Sequence, residues 1–239
     1  MSTPVSISEV FFAIDIETAG IDKPIFAIGC CLFKRNILDF SQSIKDTDII
    51  EILETRCYSY KPKRPSASID TDGLETINYN DFSMNTWDSF WSKYTDVLDT
   101  IDTQANCSSE QQMLAEFYDY WMLITQGYHN MRIVSDNVAF DIGYIDHRMA
   151  VLGDKLNNSR DCKSVDRRPL NHQLRKKKWY YICPIDTNTL ECVIKMSANG
   201  KECLETLIDS CPYNNSHDPT EDAKRVAWIF SRITQYLSG

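Results

Sequence analysis

Two carboxylates inside a run of strand-forming residues constrain this chain more than anything else in it. The stretch from Phe11 to Thr18 reads F-F-A-I-D-I-E-T. Side chains on a strand alternate between faces, so Asp15 and Glu17 share one face and Ile14 and Ile16 take the other. Two acids on one face near a strand end are costly unless something positive stands between them. A divalent cation is one answer. An edge strand carrying two solvated acids is the other, and the spacing alone does not choose. Asp and Glu number 34 of 239 residues, so acid-x-acid patterns also arise by chance, and the rest of the chain has to supply further ligands.

The chain as a whole bounds what such a site can be. A length of 239 residues suits one α/β core, and 43% hydrophobic with 11% aromatic residues describes a folded protein. A formal charge of −9 argues against a protein that coats nucleic acid through bulk electrostatics, though not against an enzyme that meets phosphate locally. Nine cysteines without a C-x-x-C pair point away from a disulfide framework or a zinc ribbon and toward an intracellular compartment. The N-terminus lacks the basic and apolar regions of a leader, and no apolar run is long enough to span a membrane. A soluble chain without membrane association is therefore expected.

Periodicity and punctuation outline the elements. Val10 to Glu17 and Ile25 to Phe33 read as strands around the turn T-A-G-I-D-K-P, and a third strand lies between Ile49 and Tyr60, giving an antiparallel meander. Ser66 to Asn85 reads as a polar loop, and Thr86 to Ile101 repeats Trp87, Phe90, Trp91, Tyr94, Leu98 and Ile101 at helical spacing. Ser109 and Gln112 form a capping box for a helix whose face carries Met113, Phe117, Trp121 and Ile124 and which ends at Gly127. A short strand from Met131 to Val134, a helix from Val138, a hairpin over Cys183 to Ser197 and a helix over Lys201 to Ser210 follow. The whole reads as one domain over 1–239, with an insert around 66–105 and a basic loop or hairpin region around 160–198.

Two helices then offer acids to the interior. With Val138, Ile142, Ile145, Met149 and Leu152 as the buried stripe, Asp141 lies on its flank in the first turn, where the helix dipole favours negative charge. Asp146 and Arg148 fall further round, toward water. In the last helix Asp218 is the N-cap, Pro219 the first helical residue and Glu221 the capping-box partner. Asp222 falls about 40° from Val226 on the apolar face, whereas Glu221, Lys224 and Arg225 point away. His217 sits at the loop end before the cap. Between the two helices, residues 160–181 hold eight cations against two acids, next to Trp179, Tyr180 and Tyr181. Such a run is either a solvated loop face or a grip on a phosphate backbone.

Acids at Asp15, Glu17, Asp141 and Asp222 form a set of hard oxygen ligands suited to Mg²⁺ or Mn²⁺. The segments that carry them, D-I-E-T-A-G-I, N-V-A-F-D and H-D-P-T-E-D, resemble the three motifs of the DEDDh 3′-to-5′ exonucleases. That family includes ribonuclease T, oligoribonuclease and polymerase proofreading subunits. The motifs occur in the family's order and span most of the chain. The resemblance implies an α/β fold of the ribonuclease H-like kind, a mixed five-stranded sheet flanked by helices. It implies hydrolysis of the last phosphodiester at single-stranded DNA or RNA 3′ ends, releasing 5′-mononucleotides. Two Mg²⁺ or Mn²⁺ ions on Asp15, Glu17, Asp141 and Asp222 are implied, with His217 as general base. Thr18 and Ile21 match contacts to the terminal nucleotide, Phe140 matches a base-stacking position, and Asn137 matches the motif's usual Asn. Asp136 departs from the pattern, standing where many members have His, and D-P-T-E replaces the commoner R-A-L-x. The alternative reading is a non-catalytic nucleic-acid-binding or interaction protein that keeps the fold.

Overall fold

The computed structural model describes residues 9–35, 49–69, 75–128, 130–158, 184–196 and 199–238. Three antiparallel strands open the chain: β1 (Glu9–Thr18), β2 (Ile25–Arg35) and β3 (Ile50–Ser59). Their register pairs Asp15 with Gly29 and Gly29 with Cys57. The turn between β1 and β2 is closed by Ala19 N–H donating to Pro24 O at 3.0 Å and Lys23 N–H to Gly20 O at 3.1 Å. Gly20 holds φ +131°, and a side chain there would meet Ser83 Oγ at 2.6 Å. Two short parallel strands complete the sheet, β6 (Arg132–Ser135) against β1 and β7 (Ile185–Asp186) against β6. The resulting order β3-β2-β1-β6-β7 is mixed, five-stranded and flanked by helices, which is the ribonuclease H-like topology.

The insert differs from its sequence reading. Ser66 to Asn85 is not a plain loop: β4 (Ser66–Ile69) and β5 (Glu75–Asn78) pair antiparallel as a separate two-stranded sheet. The stripe from Thr86 to Ile101 is not one helix either. It splits into α1 (Met84–Ser89) and α2 (Thr95–Gln104), with a 3₁₀ turn at Trp91–Lys93 between them. Tertiary contacts accompany the break: Trp91 packs its ring on Phe26, and Phe90 and Tyr94 pack theirs on His217.

Helices α3 (Glu110–Gly127) and α4 (Asp141–Asn158) cover one face of the sheet. Phe12, Ile14 and Ile16 meet Phe117, Trp121, Ile142 and Ile145 there. Each such side chain fully removed from water contributes about 1.5–3 kcal/mol. Ser109 caps α3 by accepting from Gln112 N–H at 3.3 Å, while the Gln112 amide oxygen accepts from Ser108 rather than closing the reciprocal box. Arg148, expected toward water, is instead buried and paired with Glu110.

On the other face lies the last helix, α7 (Pro219–Ser238), where Ala223, Val226, Ala227 and Phe230 pack on Phe11, Ala13, Phe33 and Val134. Asp15 and Glu17 are in phase with Phe11 and Ala13, so both face α7. Between β7 and α7 come α5 (Thr187–Lys195) and α6 (Gly200–Asp209). The hairpin expected over Cys183 to Ser197 is thus a two-residue strand followed by a helix. Asp186 makes the switch, its side chain accepting from Thr189 N–H at 2.7 Å as the N-cap. The basic stretch 160–181 falls within 159–183, outside the described residues. No helix among the described residues is long and apolar enough to cross a membrane.

Candidate active site

β1, α4 and α7 converge where β1 ends. Gly29 permits the approach: it is the register partner of Asp15, and a Cβ on it would lie 1.9 Å from Pro219 O. The first turn of α7 therefore rests directly on the sheet backbone, beside the strand acids. Asp218 caps that turn, accepting from Thr220 N–H at 2.9 Å and Glu221 N–H at 3.3 Å. Glu221 does not complete a capping box and pairs with Lys224 Nζ at 2.6 Å instead.

Each acid is held by its own element. Asp222 is buried in the first turn of α7 and accepts from Ser216 N–H at 3.0 Å. Asp141, 2% exposed, opens α4, and the Ser135 hydroxyl at the end of β6 donates to its Oδ2. Glu17 is buried, and its Oε1 lies 3.9 Å from His217 Nδ1. Asp15 Oδ2 is buried, and no donor among the described residues reaches it. One carboxylate or imidazole atom from each of Glu17, His217 and Asp222 gathers within 4.8 Å, and the same is true of Asp15, Asp136 and Asp141. Each group has the reach to chelate one metal ion.

Burial and mutual repulsion set the electrostatics of these acids. Burial pushes the Asp15 carboxyl well above the usual carboxylate range, and Glu17, Asp141, Asp222 and Asp136 push it further. Glu17 is raised well above its range by burial and then by Asp222 and Asp141. Asp141 is raised by burial and by Asp136, against the lowering bond from Ser135. Asp222 is raised by burial, with the Ser216 amide and His217 pulling the other way. A hard divalent cation bound in either group would relieve the acids that hold it, and the unpaired Asp15 Oδ2 is free to accept such an ion.

An open cavity of about 490 Å³ spreads from the acids. Asp15, Glu17, Asp141, Asp222 and His217 line it together with Asn137 and Phe140. Asn137 organises the entry to α4, its carbonyl accepting from Asp141 N–H at 2.8 Å and its side chain from Phe140 N–H at 3.1 Å. Phe140 is 37% exposed and its ring stacks on Tyr144 at 5.7 Å. Thr18 and Ile21 are not among the lining residues. Thr18 is buried, with its carbonyl accepting from Trp91 Nε1–H at 2.9 Å, and Ile21 stands 80% exposed on the turn.

No protein-family model matches the sequence, and a search of characterised proteins returns no match. Among solved structures, the crystal structure of cell-death related nuclease 4 (CRN-4) aligns with a TM-score of 0.43 at 13% identity. The alignment covers 95% of this chain and 64% of that one, so the chain spans just under two thirds of that nuclease. So distant a likeness adds nothing to the geometry above.

Three residues of the site escape a reading of the sequence. Asp136 follows the buried Ser135 and brings a fifth carboxylate to Asp15 and Asp141; its departure from the motif is the signal, without a role attached. Ser135 orients Asp141 and carries no local mark. Arg225, expected to point away, lines the cavity three residues after Asp222 and donates to Tyr213 O at 3.2 Å. It is the one Arg or Lys among the described residues of the lining, facing six carboxylates.

Proposed function

We propose that this chain is a metal-dependent 3′-to-5′ exonuclease that removes 5′-mononucleotides from single-stranded DNA or RNA. The observation that carries the reading is the pair of three-residue groups, one holding the unsatisfied Asp15 Oδ2 and the other including the His217 imidazole. Asp15, Asp141 and Asp136 are the ligands we assign to one Mg²⁺ or Mn²⁺ ion, and Glu17 and Asp222 to a second. When bound, the pair of ions supplies an activated water and offsets charge on the attacking and leaving oxygens.

The remaining roles belong to the chain. We assign His217 as general base rather than ligand, because hard cations of this kind favour oxygen donors. His217 is placed to take the proton of the attacking water at Nδ1, the nitrogen that faces Glu17. Ser135 holds Asp141 in one rotamer, and the Ser216 amide does the same for Asp222. Asn137 and Phe140 stand at the cavity edge where the last nucleotide would lie, and Arg225 offers the local positive charge that a phosphate backbone needs in an acidic protein. Thr18 at the end of β1 and Ile21 on the turn that follows remain proposed nucleotide contacts.

The test is digestion of 5′-labelled single-stranded DNA and RNA of equal sequence, with Mg²⁺, with Mn²⁺ and with EDTA, beside Asp15→Asn and His217→Ala. A ladder shortening from the 3′ end is expected, abolished by EDTA and reduced at least about a hundredfold by Asp15→Asn. His217→Ala is expected to lower turnover by about 10²–10⁴-fold while metal affinity is kept. No digestion of either strand with either metal would leave a non-catalytic binding protein as the surviving reading.

A further inference from the structure

Two of the rings that interrupt the insert converge on one side chain. His217 sits between Phe90 and Tyr94, with ring centroids at 4.7 and 4.8 Å and interplanar angles of 85° and 66°. Phe90 and Tyr94 also touch each other at 4.7 Å. Tyr94 is 37% exposed, so burial of Tyr94 itself does not explain the arrangement. Both residues leave helical geometry, Phe90 at φ −130°, ψ −74° and Tyr94 at φ −118°, ψ 39°. His217 likewise takes φ +57°, a region that few non-glycine residues adopt. Between the two rings, Trp91 is buried and donates from Nε1 to the carbonyl of Thr18, the residue after Glu17. The turn that carries the rings is thus tied to the strand that carries the acid.

We propose that Phe90 and Tyr94 form an aromatic clamp that positions His217, holding its Nδ1 edge toward Glu17, and that the insert exists in part to supply it. The inference rests on the reading of His217 as general base. Edge-to-face contacts fix ring orientation, and two of them on one imidazole remove the rotations that would turn Nδ1 away from the acids. Holding a reacting group within a fraction of an ångström of its working position is worth orders of magnitude in rate. Phe90 and Tyr94 are therefore positioning residues, acting through His217.

Steady-state kinetics on the labelled strand and NMR of the ring protons test this together. Phe90→Leu and Tyr94→Leu are each expected to lower kcat by about tenfold and the double variant by more, with KM held within about twofold. Tyr94→Phe, which keeps the ring, should restore kcat. The chain has four histidines, so His217 ring signals can be assigned with His217→Ala. Nuclear Overhauser contacts from them to Phe90 and Tyr94 are expected in the wild type and lost in the Leu variants. Circular dichroism melts confirm that each variant is folded, and Mn²⁺ binding followed by electron paramagnetic resonance should be unchanged. A rise in KM at constant kcat overturns the clamp in favour of a nucleobase platform, and absent ring contacts in the wild type overturn its geometry. Full activity in both Leu variants overturns it as well. An inactive wild type sinks the nuclease reading instead, which the first digestion reports separately.

Discussion

Glu110 and Asp15 are both carboxylates in the interior, and the protein treats them in opposite ways. Glu110 opens α3, where its Oε1 accepts from Ile25 N–H at 2.9 Å and from Arg148 Nε–H at 2.7 Å. Its Oε2 accepts from the Arg148 Nη2 group, so the pair is bidentate and both residues are 7% exposed. Bonding to Glu110 in turn raises the Arg148 pKa. Among the described residues Asp15 has no such partner on Oδ2, and it shares its surroundings with four more acids. A buried carboxylate that the chain satisfies itself is part of the scaffold. One left unsatisfied among the described residues, beside others of its kind, has the chemistry to take a cation.

The largest effect expected from this contrast falls on the scaffold side. Arg148→Met strands the Glu110 charge and should cost about 3–5 kcal/mol of stability, whereas the double change with Glu110→Leu should recover most of it. Asp15→Asn removes a charge of the same kind and should leave the metal-free protein no less stable at neutral pH. Thermal and urea melts of the three proteins make the comparison. An Asp15→Asn loss as large as that of Arg148→Met would show that Asp15 is also satisfied within the chain, and would end the contrast.

Gly29 offers a smaller and sharper break, because it is no carboxylate at all. Adding a methyl group places Cβ 1.9 Å from Pro219 O, so the start of α7 has to lift from β2. Gly29→Ala is expected to cost about 1–3 kcal/mol in stability. Activity and Mn²⁺ affinity should fall further than that loss implies, since Asp222 and His217 move with the helix while Glu110 and Arg148 do not. Retained metal affinity in a folded Gly29→Ala protein would mean that the cluster does not depend on this close approach.

How much of this is legible in the sequence follows from the range of the interactions. Asp15 and Glu17 announce themselves through the period of a strand, and Asp141 and Asp222 through the period of a helix, all within a few residues of chain. The five-stranded sheet is implied by a family resemblance, and the meander at its start by turns with Gly20 and Pro24. Glu110 and Arg148 are 38 positions apart in sequence, so each alone looks like a solvent-facing charge. Phe90 and Tyr94 read as continuing a helical stripe because periodicity cannot show that His217, more than a hundred residues on, pulls them out of it. Arg225 points outward by helix angle alone, but the cavity extends past α7 toward α5 and takes it in. The pairing of β4 with β5 is hidden because both strands are polar and exposed, so that their alternation buries nothing.

The smallest effect is the pH dependence of the empty cluster, and its sign separates the two kinds of buried acid most cleanly. Burial raises the Asp15, Glu17, Asp141 and Asp222 carboxyls above their usual range near 4. Below that range these groups are protonated in both the folded and unfolded chain, and the fold keeps its full stability. As pH rises, the unfolded chain releases its protons first, so stability falls until the raised values in the folded protein are passed. Every tenfold gain in proton affinity on folding is worth about 1.4 kcal/mol, and about 2–4 °C in Tm follows per kcal/mol for a chain of this size. In EDTA, Tm is therefore expected to drop by several degrees between pH 5 and pH 8, with Asp15→Asn flattening the slope. Mg²⁺ or Mn²⁺ should return the lost degrees at pH 8 and do little at pH 5, where protons compete for the same oxygens. The raised Tyr and Cys groups titrate above this window and leave it undisturbed. A Tm that rises with pH in EDTA, or one that divalent ions shift equally at pH 5 and pH 8, would place the orphaned oxygen of Asp15 outside any metal site.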